Sequence, residues 1–118
     1  MAKKVADVKE EEQNPIDQKI DELKKLHPED DLFMVDFYYA PVIFKALDRE
    51  LYSKVRKGLE GVSDQAQIEE TVCDACVLYP EGEEYEALKK KKGGFCAALM
   101  DEIFKVSGFS AVMSPVKL

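Results

Sequence analysis

The sequence predicts an α+β fold: a mostly helical single domain with a two-stranded β-hairpin and a flexible acidic N-terminal segment. Three observations carry this expectation. Two short runs, Leu32–Tyr39 and Val42–Leu47, are rich in aromatic and β-branched residues. Several longer segments repeat apolar residues at helical spacing, with capping residues before them and glycine or proline after. The first thirteen residues are polar and charge-dense, ending in Lys9-Glu10-Glu11-Glu12-Gln13.

Residues 1–13 are therefore expected to form a flexible charged tail, and residues 14–30 an N-terminal helix and linker. Asn14 can cap this helix, with Pro15 at its first position. Ile16, Ile20 and Leu23 follow at helical spacing, opposite Asp17, Lys19, Glu22 and Lys25. So narrow an apolar stripe suits a surface helix. Pro28 ends it, just after His27.

Residues 31–109 are expected to form the globular α+β domain. Its hairpin joins the two aromatic runs, with Ala40-Pro41 as the break between them. Asp48 then caps a helix with Leu51, Val55 and Leu59 in its stripe, and Gly61 follows it. Asp64 or Ser63 starts the next helix, in which Ile68, Val72, Ala75, Cys76 and Tyr79 share a face up to Pro80 and Gly82. Glu81–Glu86 and Lys89–Lys92 form an acidic and then a basic block, suited to a short exposed helix. Phe95, Leu99, Ile103 and Val106 mark the last helix. Gly108 is placed to end it and Phe109 to fold back on its last turn. Residues 110–118 read as a C-terminal tail.

A length of 118 residues fits one domain with a core of its own. A formal net charge of −7 disfavours nucleic acid and anionic membranes, both of which select a basic face. No apolar run approaches the roughly 18–20 residues of a membrane span. The opening residues lack the apolar stretch of a secretory signal, so a reducing cytosol is the expected compartment.

Cys73 and Cys76 stand in a C-x-x-C spacing, and Cys96 is the third thiol. A structural zinc site takes four ligands. Here the set would need Cys73, Cys76, Cys96 and the one histidine, His27. A redox pair would sit at a helix N-terminus, whereas this pair lies inside a helical pattern. The favoured reading is Cys76 as a small buried hydrophobe with Cys73 on the helix flank. His27 reads as an exposed helix-end residue. The carboxylates show no EF-hand spacing, and the Lys89–Lys92 run reverses the order of a phosphate loop. No nucleophile–base pair or cofactor cradle emerges. The aromatic run, with Asp36 and only Lys45 for charge, suits a core or a protein-binding face better than a nucleic-acid platform. The candidate partner-binding residues are thus Phe33, Phe37, Tyr38, Tyr39 and Phe44, joined by Ile16, Ile20 and Leu23 of the first helix.

The order of elements, with Leu47-Asp48-Arg49-Glu50, Cys76-Val77-Leu78-Tyr79-Pro80 and Ser107-Gly108-Phe109 as punctuation, resembles the small tail-assembly and baseplate-associated proteins of tailed bacteriophages. The resemblance spans about residues 30–110. It implies a non-enzymatic structural or chaperone role, no cofactor, and no catalytic residues to carry over. The partners it implies are tape-measure, tail-tube or hub proteins, and an oligomeric state is compatible with it. The implied location is the virion tail, or the host bacterial cytoplasm during assembly. Two alternatives stay open: a small acidic regulator of a host factor, and a zinc-binding module using Cys73, Cys76 and Cys96.

Overall fold

The computed structural model describes residues 15–38, 40–109 and 114–118. The tail expected over 1–13, the cap Asn14, Tyr39 and residues 110–113 lie outside the described residues. The fold is α+β, and the chain divides after Leu32 into two units. No described helix is long and apolar enough to cross a membrane.

The first unit carries α1 (Pro15–Leu26). Pro15 is its first residue, where the missing N–H is lost at no cost. Leu23 is buried, Ile16 and Ile20 are half-buried, and Leu26 is exposed. His27 follows the helix, half-buried rather than exposed, with Nδ1 3.3 Å from Asp30 Oδ2.

The second unit, which begins at Phe33, one residue into β1, is built on a three-stranded antiparallel sheet in the order β1 (Leu32–Phe37), β2 (Ala40–Lys45), β3 (Val77–Tyr79). The aromatic runs predict only two strands, and the helical spacing runs a helix through Tyr79. Instead α3 (Gln65–Cys76) stops at Cys76, and Val77 turns to φ −73°, ψ 128°. Val77–Tyr79 then pairs antiparallel with β2, Ile43 opposite Tyr79 and Phe44 opposite Val77, with an irregularity between Ile43 and Phe44. A two-stranded ribbon is marginal in water, and β3 supplies the missing third strand.

The hairpin turn is also displaced from its predicted place. Ala40 and Pro41 lie inside β2, and the turn falls at Tyr38, which takes φ 51°. Two-residue hairpin links favour positive φ at their first central position, because that twist matches the strands. Tyrosine carries strain there that glycine or asparagine would avoid. Pro41 is tolerated in a middle strand because β3 is short: continuing the register, its partner would lie beyond Tyr79.

Capping agrees with the local chemistry. Asp48 Oδ1 accepts from the Leu51 N–H at 2.8 Å and starts α2 (Arg49–Gly58). Asp64 Oδ1 accepts from the Ala66 N–H at 3.2 Å before α3. Gly82 opens α4 (Gly82–Lys91) rather than ending a helix. After α5 (Phe95–Val106), Gly108 takes φ 93° and the Phe109 N–H reaches the Phe104 carbonyl at 2.9 Å. The Phe109 ring lies 4.9 Å from that of Phe104 and 4.8 Å from that of Tyr52 on α2.

The core of the second unit lies between the sheet and its own helices. Val42 and Phe44 of β2 meet Val72, Cys73 and Cys76 of α3 and Phe95, Leu99 and Ile103 of α5. Cys73 is fully buried, not on the helix flank as its spacing suggested. Phe95 ties several elements together, its ring 5.0 Å from Phe37 of β1 and 6.2 Å from Tyr85 of α4. Phe95→Ala should lower stability by about 3–5 kcal/mol, because it empties a fully enclosed aromatic site. Asp48→Ala should cost about 1 kcal/mol through loss of the cap. Urea unfolding of the two variants beside the parent chain measures both.

Candidate functional site

β1 alternates. Phe33, Val35 and Phe37 pack against the core, while Met34 and Asp36 are exposed. Among the described residues it has a sheet neighbour on one side only, β2. Along its other margin runs a groove of about 370 Å³ whose far wall is α5. β1 contributes Val35, Asp36 and Phe37, and α5 contributes Phe95, Ala98, Leu99 and Glu102. Successive residues of a strand point to opposite faces. A groove touched by three in succession therefore follows the strand's margin, where main-chain N–H and C=O groups point, and not one face of the sheet. The floor is apolar, and Asp36 and Glu102 put carboxylates at the rim. Glu102 also pairs with Lys105 at 3.2 Å on an exposed turn of α5.

The residues singled out from the sequence divide. Phe37 is half-buried and lines the groove. Tyr38 is 70% exposed at the hairpin turn, its ring 4.9 Å from Phe37 and 4.5 Å below Lys92 Nζ. Phe33 is half-buried and stacks at 5.9 Å on Phe44. Phe44 is 1% exposed, so its expected place on a docking face is corrected: it is core. Tyr39 lies outside the described residues. Ile16, Ile20 and Leu23 belong to α1 in the first unit, where Leu23 is buried.

The α5 wall was not anticipated. Phe95, Ala98, Leu99 and Glu102 recur at i, i+3, i+4 and i+7, so they share one side of the helix. The sequence places Phe95 and Leu99 in the apolar stripe of this helix, with Ile103 and Val106. The small Ala98 beside them was the available signal that this side stays partly open.

The thiols face inward. Cys73 and Cys76 are fully buried, Cys96 is half-buried, and all three are free. Cys73 Sγ donates to the Cys96 carbonyl at 3.4 Å. Burial pushes the Cys73 thiol well up, reinforced by Cys96. Burial also pushes Cys76 up to about 11, against the opposing charge of Lys45. The Cys96 thiol is raised by burial too, although Cys73 and Lys89 oppose it. Zinc binds thiolates, whereas these environments favour the protonated form. Among the described residues, no group of three or more His, Cys, Asp or Glu is placed to hold a metal ion.

The lysine run contains a structural member. Lys89 keeps only 10% of its side chain exposed, and Nζ reaches Glu70 at 2.8 Å, Asp74 at 3.1 Å and Glu86 at 3.3 Å. Tyr85 Oη donates to the same Asp74 at 2.7 Å. Removal from water lowers the Lys89 pKa, but the carboxylates outweigh it and the net direction is up. The Tyr85 hydroxyl is raised by burial and by its bond to Asp74. This cluster fastens α4 to α3.

No family model, curated protein or solved structure matches the chain.

Tyr85, Lys89 and the thiols hold their protons more tightly folded than unfolded. Stability is therefore complete below their unfolded pKa values and falls as pH rises. The loss should begin near pH 8.5 with the thiols and steepen above about 10, where unfolded tyrosine and lysine titrate. Urea midpoints from pH 7 to 11 measure it. Tyr85→Phe should cost about 1 kcal/mol at pH 7 and flatten the fall above pH 10.

Proposed function

We propose that this protein works through protein–protein contacts, without catalysis, as a tail-assembly or baseplate-associated component of a tailed bacteriophage. One structural observation supports the contact role above the others: β1 presents a margin beside an apolar groove with a carboxylate rim. Natural sheet edges are commonly blunted with lysine, proline or a bulge. The β1 sequence, Leu32-Phe33-Met34-Val35-Asp36-Phe37, contains no lysine and no proline. Such a strand is suited to pairing with another chain.

The phage assignment is supported by the sequence resemblance across residues 30–110 and by the acidic balance of −7, which suits protein partners better than nucleic acid. On this reading the partners are tape-measure, tail-tube or hub proteins. The chain acts in the bacterial cytoplasm during assembly or stays in the virion tail.

Affinity capture with the tagged full-length chain from phage-infected cells, followed by mass spectrometry, tests this. Enrichment of a tail or baseplate protein is the expected result. Enrichment of a host protein alone would replace this reading with that of a host-factor regulator.

A further inference from the structure

The geometry points to the β1–α5 groove as a site for an extended peptide segment that alternates apolar with basic residues and adds as a strand to β1. This rests on the protein-contact reading above and names the partner's chemistry. Added strands lie about 4.8 Å from their neighbour and point alternate side chains to opposite faces. One set of side chains would descend onto the apolar floor between Val35, Phe37 and Leu99. The other set would stay near the rim, where Asp36 and Glu102 supply negative charge. Lysine or arginine at those positions completes the match, and the net charge of −7 favours approach of a basic segment. The Lys105–Glu102 pair is an exposed i,i+3 contact, worth little, and yields to an incoming cation.

An acidic or neutral segment would gain the main-chain bonds but face two uncompensated carboxylates. A second copy of this chain would bring another β1, which carries Asp36 and no cation. Charge therefore selects a basic partner over both.

The test uses the full chain and a fluorescent, end-blocked hexapeptide alternating valine with lysine. Two controls accompany it: the same peptide with glutamate for lysine, and one N-methylated at alternate residues to remove main-chain donors. Anisotropy measures affinity, and amide chemical shifts locate binding. The expected result is saturable binding of the lysine peptide, with shifts at Val35–Phe37 and Ala98–Glu102. The two control peptides should bind at least about tenfold more weakly. Asp36→Lys with Glu102→Lys should lose binding by a similar factor, as should Ala98→Arg, which fills the groove from an exposed helix position.

Equal binding of the glutamate or N-methylated peptide, or shifts elsewhere, would overturn the proposal. So would no binding, or a dimer of the chain paired through β1. Capture of a tail protein equally by the parent and the charge-reversed variant would sink the groove and leave the assembly role standing. Groove-specific peptide binding with no tail protein captured would do the reverse.

Discussion

The contact between Phe37 and Phe95 is the constraint on which the rest depends. Phe95 is fully enclosed at the first position of α5, and Phe37 closes β1. Their rings meet edge-on at 5.0 Å, a geometry aromatic quadrupoles favour. Because Phe95 also meets Tyr85, the contact links β1, α5 and α4 at once. It sets how close α5 can come to the sheet. At Phe95 the two elements touch. One turn on, Ala98 has too little side chain to close the space, and the groove opens there. The candidate site is thus the place where good packing at one residue gives way to a small residue at the next turn.

The far end of α5 is held by separate means. Ser107 Oγ accepts from the Leu47 N–H at 2.8 Å and donates to the Ile103 carbonyl at 2.6 Å. The helix end is thereby tied to the segment between β2 and α2. The Phe104–Phe109–Tyr52 cluster packs against α2 nearby. With one end fixed by an aromatic core contact and the other by a hydrogen-bonded serine, α5 makes a stable wall. Strand addition gains from such a wall, because the partner alone then bears the ordering cost.

Most helices were legible because their signals are local. Asp48, Asp64 and Gly108 are chemically suited to their positions, and each adopts the predicted one. The errors fall where tertiary structure decides. Val77-Leu78-Tyr79 continues an apolar run after a helix, and nothing local separates one more helical turn from a short strand. Its pairing with Ile43 and Phe44, more than thirty residues away, settles the matter. Pro41 looked like a break because proline interrupts ladders, but β3 ends before the ladder reaches it. Tyr38 at positive φ is a turn without the usual asparagine or glycine. Lys89 read as one of four solvated lysines, since Glu70 and Asp74 lie too far along the chain to be paired with it by inspection. The groove combines both cases. Its strand was visible as an aromatic run, whereas its helix wall was hidden inside a core stripe.

Among the described residues β1 is an edge strand, and an edge strand invites self-association unless something on it opposes pairing. Lysines on the strand would repel identical copies and basic partners alike. Acidic charge discriminates. Two copies approaching through β1 each bring Asp36 to the shared ladder and Glu102 beside it, in molecules that each carry −7 overall. Repulsion near the strands adds to long-range repulsion between the whole chains, and it weakens as salt rises. A basic segment meets attraction on both scales. On the proposed reading, the carboxylate rim disfavours pairing with identical copies and favours a partner of opposite charge.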